Sequence, residues 1–256
     1  MKKCLMLFTL ISALATSSGA MAQQAPSTPI SYLQASLAAM AGQSSIQDVT
    51  LTGTAEFIAG STDETVPFAF KALQTGSTRS DISLSAGVLT EIRQVLSAGS
   101  TGTWTSGNGV QHAIAGQNLM TDGAWCFPLF VVQRLVADPN AVTSYVGTEN
   151  GMVHFRSYEQ PPAAGTPQAA AVLQHLTQID LYLDPNSNLP TQLSFTTHPD
   201  NNALTDIAVS VQFSNYQTVN GFVIPMHIQK YLNGTLAYDV QLQSATFNSG
   251  LTQASF

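Results

Sequence analysis

The chain has 256 residues, of which only 9% are charged, and 15 acidic side chains outnumber 8 basic ones to give a net charge of −7. Beyond the N-terminal pair, the basic residues Lys71, Arg79, Arg93, Arg134, Arg156 and Lys230 are too scattered to form a patch, which argues against nucleic acid and anionic membrane surfaces as partners. With so few charges, the exterior has to be built from Ser, Thr, Asn and Gln, a composition that suits a twisted sheet better than a helical bundle.

Lys2 and Lys3 open the chain, an apolar run from Leu5 to Leu14 follows with only Thr9 and Ser12 interrupting it, and small residues lead to Ala20-Met21-Ala22. Basic start, apolar stretch and A-x-A site stand in the order of a cleavable secretory signal. The run is too short to cross a bilayer, which takes roughly 20 apolar residues, so the chain is not expected to be an integral membrane protein. Cleavage after Ala22 would deliver about 234 residues to the periplasm or beyond the cell, with Lys+Arg falling from 8 to 6 against 15 Asp+Glu, a net charge of −9. Cys4 precedes the apolar run and would be lost. Cys126 then remains as a single thiol, so no intramolecular disulfide can form. Its setting, Ala-Trp-Cys-Phe-Pro-Leu-Phe, reads as a buried, inert thiol.

Gln23 to Pro29 reads as a linker, and residues 30–256 as a single domain. Ile30, Leu33, Leu37 and Met40 recur at helical spacing behind a Ser/Thr-Pro start, which predicts an amphipathic helix to Ala41. Alternation then takes over. Val49, Leu51, Gly53, Ala55 and Phe57 share one face of a strand, and further strands are expected at Phe68–Leu73, Arg79–Leu84 and Val88–Leu96, the last of which also suits a helical turn. Gly99 to Gly116, rich in Gly, Ser and Thr around Trp104, reads as a loop or weak hairpin. Trp125, Leu129, Val132 and Val136 predict a helix over Ala124–Ala137, stopped by Asp138-Pro139-Asn140. The Pro-rich stretch Gln160 to Gln168 reads as an insertion.

The second half carries the firmest local signal. Asn150-Gly151, Asn220-Gly221 and Asn233-Gly234 each separate two strand-like runs, and Asn-Gly favours the type I′ turn because both central residues need positive φ. Ile207/Val209/Val211/Phe213, Phe222/Ile224/Met226/Ile228 and Leu236/Tyr238/Val240/Leu242 each place apolar side chains on one face, as a sheet with one wet side requires. Asn233-Gly234-Thr235 also matches a glycosylation sequon, but the hairpin explains it.

No catalytic motif assembles along the chain, and no cofactor or metal is expected. His112, His154, His175, His198 and His227 make no close ligand pair, there is no second thiol for a C-x-x-C site, and no G-x-S-x-G elbow occurs. Asp180, Asp184, Asp200 and Asp206 cluster in one region, where Asp184-Pro185-Asn186 and Pro199-Asp200-Asn201-Asn202 read as turns rather than as the paired carboxylates of a glycosidase. The chain is expected not to be an enzyme.

Asp180-Leu-Tyr-Leu-Asp-Pro-Asn-Ser-Asn-Leu-Pro, Gln192-Leu-Ser-Phe and Phe213-Ser-Asn-Tyr-Gln-Thr-Val-Asn-Gly-Phe-Val-Ile-Pro resemble a pattern of the periplasmic lipoprotein carrier LolA and its outer-membrane lipoprotein-sorting relatives. The resemblance covers roughly Ile179 to Asn248. It implies an α+β fold in which a curved antiparallel sheet, an incomplete β-barrel, wraps around a few helices and encloses an apolar cavity. By the same resemblance Phe195, Val209, Val211, Phe213, Ile224, Met226 and Leu242 would line the cavity, with Trp104 or Trp125 as a plug. Arg79 and Arg93 are the positional candidates for the arginine such carriers place inside. The implied function is an exported binding protein that shields a lipid, acyl chain or lipoprotein. The competing reading is a structural or interaction module with a packed core that meets an envelope protein.

Overall fold

The computed structural model describes residues 28–121, 123–161 and 165–256; the signal segment and most of the linker lie outside them. Thr28 caps the first helix, α1 (Pro29–Ala41): its Oγ1 accepts from Ser31 N while its own N–H donates to Ser31 Oγ, and Pro29 sits where a missing N–H costs nothing. Six strands follow, β1 (Asp48–Ala59), β2 (Thr62–Leu73), β3 (Thr78–Leu84), β4 (Gly87–Leu96), β5 (Gly99–Thr105) and β6 (Gln111–Ala113). A crossing segment with the short helix α2 (Gly116–Leu119) leads to α3 (Pro128–Ala137). Then come β7 (Ala141–Glu149), β8 (Met152–Glu159), α4 (Pro167–Thr177), β9 (Ile179–Leu183), β10 (Pro190–Thr197), β11 (Ile207–Val219), β12 (Phe222–Leu232) and β13 (Thr235–Phe247).

Among the described residues the strands form one antiparallel sheet of 13, in the order β6-β5-β4-β3-β2-β1-β13-β12-β11-β10-β9-β8-β7. The first strand pairs with the last, so the two hairpin runs become two arms of one sheet, with β6 and β7 as its free edges. This is the incomplete barrel that the resemblance implied. All three Asn-Gly pairs turn hairpins with positive φ at both positions, 49° and 80°, 50° and 88°, 48° and 78°. Where β1 meets β13 the register shifts between Thr52 and Gly53. The strands approach so closely there that a Cβ on Gly53 would lie 2.1 Å from the carbonyl oxygen of Gln241.

Several local expectations need correction. The helix expected over Ala124–Ala137 begins at Pro128, because the proline's fixed φ suits the first helical position and Ala124–Phe127 closes a turn through Phe127 N and Ala124 O. Where two readings stood open, the strand holds for residues 87–96 and the hairpin for residues 99–113. The Pro-rich stretch ends in the unforeseen helix α4, which Thr166 caps.

Helices α1 and α3 pack against each other, and their buried side chains join the sheet's inner face in one core: Leu33 and Met40 from α1, Leu129 and Val132 from α3, against Val49, Leu51, Phe70, Val211 and Ile228. Full burial of each such side chain contributes about 1.5–3 kcal/mol. This core fixes which strand face is inner, and therefore where polar groups stand out.

Candidate functional site

Two cross-strand rows describe the inner face. On one arm Tyr145, Phe155, Leu181, Leu193, Val211, Lys230, Tyr238 and Phe57 pair in succession from β7 to β1. Lys230 is the one charged residue in this row. Its ammonium lies 4.5 Å from the ring centre of Trp125 and 5.5 Å from that of Tyr238, an arrangement that attracts a cation to the negative ring faces. On the other arm Leu51, Phe70, Ser80, Glu91, Trp104 and His112 pair in succession, so the interior grows more polar toward the edge strand. Arg93, one inward position further along β4, bonds to Glu91 at 2.8 Å through Nε and donates through Nη1 to the carbonyl oxygen of Asn118.

Glu91, Arg93 and Lys230 therefore form a polar cluster of mixed charge inside an otherwise apolar barrel. Burial works against ionisation of Glu91, but Arg93 and Lys230 outweigh it and hold the carboxyl below its usual range. Burial lowers the Lys230 pKa; Glu91 pulls it back up in part and Arg93 adds to the lowering. Cys126 is fully buried beside this cluster, and burial pushes its thiol pKa up, which disfavours the thiolate.

At the mouth a cleft of about 420 Å³ opens against this cluster, within the range of ligand sites. Arg93, Val95, Leu119, Met120 and Arg134 are among its walls. Arg93 and Arg134 give it cationic surface, Glu159 adds one carboxylate, and Val95 (41% exposed) and Met120 (45% exposed) supply apolar surface. The crossing segment roofs it, with Ile114 and Leu119 pressed against Gly102 of β5, where a Cβ would meet their methyls at 2.8 and 2.9 Å.

Phe195, Val209, Val211, Phe213, Ile224, Met226 and Leu242 all lie in the common core, at most 9% exposed. Trp125 joins them from the crossing segment and sits under Lys230, while Trp104 stays half-buried at the edge, stacked on His112 at 4.1 Å. Of the two candidate arginines, Arg93 points inward. Arg79 is on the outer face, bonded to Asp81 at 2.7 Å. Lys230 and Glu91 are site residues that the sequence did not single out.

The outer face is polar. His154 and Arg156 both hold Asp180, at 2.6 and 2.9 Å, and Asp184 makes the expected turn, accepting from the main-chain N–H groups of Asn186 and Ser187. His175, His198 and Asp206, far apart in sequence, converge so that one donor atom of each lies within 4.8 Å of the others.

No family model matches the chain, and no curated protein matches it by sequence. Solved structures share its fold, three of them as follows. An outer membrane lipoprotein-sorting protein domain from Vibrio parahaemolyticus aligns with 88% of this chain and 94% of its own, at 10% identity and a TM-score of 0.54. A LolA superfamily protein from Nitrosomonas europaea aligns over 88% and 95%, at 8% identity and 0.50. A DUF1329 family protein from Desulfovibrio piger aligns over 89% and 97%, at 11% identity and 0.53. At 8–11% identity these structures share with this chain its fold, the open curved sheet around helices.

Proposed function

We propose that the chain is an exported carrier that shields an acyl-type moiety between the curved sheet and its helices, admitting it through the cleft beside Arg93. The observation that carries this reading is the juxtaposition at the mouth: exposed apolar Val95 and Met120 adjoin Arg93, and the Glu91–Lys230 cluster lies behind. An apolar chain would pass the methyl-lined roof, and its polar head would meet the cations. Displacing the segment that carries Leu119 and Trp125 would bare Gly102 of β5, Lys230 of β12 and Tyr238 of β13. Burying a dozen methylenes at about 0.8 kcal/mol each gives roughly 10 kcal/mol before the costs of association, enough without any catalysis. The signal-like order of residues 1–22 supports a carrier in the periplasm or outside the cell, and a structural neighbour named for lipoprotein sorting supports the same ligand class.

A fluorescent fatty acid tests it. Saturable uptake that quenches tryptophan emission and weakens in Arg93→Gln is the expected result; no uptake at all would sink the reading. A second reading, a packed module that meets an envelope protein, draws on the burial of Phe195, Val211 and their neighbours. It predicts a partner protein and no lipid.

A further inference from the structure

We propose that His175, His198 and Asp206 form a binding site for a first-row divalent transition metal ion of the zinc type, separate from the apolar interior. His175 lies in the last turn of α4, His198 directly after β10 and Asp206 directly before β11. The donors are already close: His175 Nε2 is 2.9 Å from Asp206 Oδ1, and one donor atom of each of the three residues lies within 4.8 Å of the others. Two imidazoles and a carboxylate are the donor set of zinc and its neighbours, whereas calcium and magnesium take oxygen ligands alone.

His198 supplies the rigid anchor. Its ring is buried, and its main chain is held on both sides by Asn118. Its Nδ1 lies 3.1 Å from the carbonyl oxygen of Thr205, the kind of outer contact that orients a ligating imidazole, while Nε2 has no partner among the described residues. A plain ion pair between His175 and Asp206 needs neither a second imidazole nor a buried nitrogen left unpaired. A metal uses both histidines. His175 and Asp206 are half-exposed on a helix end and a loop, which leaves both side chains free to close on His198 and reach the ~2 Å coordination shell. The site opens onto a cleft of about 410 Å³ that His175 and Asp206 help line, which leaves the remaining coordination positions to water or a small ligand.

The test is a titration of the tag-free, chelator-treated chain with Zn²⁺ by calorimetry, and with Co²⁺ by absorption. One equivalent of Zn²⁺ and the visible bands of a low-coordinate Co²⁺ site are expected. His175→Ala and Asp206→Asn should each weaken binding about tenfold or more and leave the metal-free circular dichroism and unfolding midpoint unchanged. Both positions are half-exposed, so these variants do not threaten the fold. Failure of the wild-type chain to bind a stoichiometric ion would overturn the proposal, as would wild-type affinity in both variants.

Discussion

Asn118 holds the main chain of His198 from both sides: its Nδ2 donates to the carbonyl oxygen at 2.7 Å, and its Oδ1 accepts from the N–H at 2.8 Å. One side-chain amide thus does the work of a neighbouring strand. Its carbonyl oxygen meanwhile accepts from Arg93 of the opposite arm and from Thr121 Oγ1. The crossing segment is therefore stitched to both arms of the open barrel at a single residue.

Asn118→Ala leaves two buried main-chain groups of His198 without partners. Each such group costs about 1–3 kcal/mol, so urea unfolding should show a loss of roughly 2–6 kcal/mol. A loss under about 0.5 kcal/mol would mean that the segment is not held this way.

Asp48 ties the start of β1 to the C-terminal tail, accepting from Ser249 N and Oγ, Gly250 N and Leu251 N. Burial opposes its ionisation, yet these hydrogen bonds outweigh it and hold the pKa below the usual 3.8. The unfolded chain takes up this proton first as pH falls, so the stabilisation is complete above about pH 4 and is lost through and below 3.8. Asp48→Asn should lower stability at pH 7 and flatten the acid limb of a stability–pH curve. An unchanged acid limb would contradict the assignment.

Lys230 predicts the opposite limb. Burial lowers its pKa from 10.5, so the folded chain releases this proton at a lower pH than the unfolded chain, and stability rises as pH climbs through the folded value toward 10.5. Tyr238, whose phenol burial pushes up from 10, works the other way above pH 10. Lys230→Met, which keeps the shape and removes the charge, should abolish the rise in stability that the wild type shows as pH climbs toward 10.5. On the carrier reading it should also weaken binding of fatty acids with a free carboxylate more than that of their methyl esters. Parallel urea titrations and uptake assays read both effects.

Gly53→Ala should destabilise by about 1–3 kcal/mol, because the new Cβ meets the main chain of Gln241 and Leu242 rather than a movable side chain. Thermal unfolding gives the comparison; a neutral change would mean that β1 and β13 can part locally without cost.

Much of the fold was legible in local chemistry. Asn150, Asn220 and Asn233 marked three hairpins because positive φ is a demand that few residues meet. The alternation of Val209, Val211 and Phe213 gave the buried face because strand geometry has a period of two. The site was less legible. Lys230 interrupts an apolar row, and only the register across seven strand pairings shows that it points inward. Glu91 and Arg93 carried a strand-spaced charge pair, but their meaning depends on the crossing segment over them. His175 and His198 meet through α4, whose Ala- and Gln-rich sequence gives a weak apolar stripe and left the pair invisible along the chain.

The central claim is that the barrel takes up an acyl-bearing ligand. Native mass spectrometry of the chain purified from a bacterial host, paired with organic extraction of the same sample, tests it most directly. The account predicts added mass that disappears on extraction and is recovered as acyl lipid in the organic phase. A bare polypeptide mass together with an extract free of lipid would contradict it.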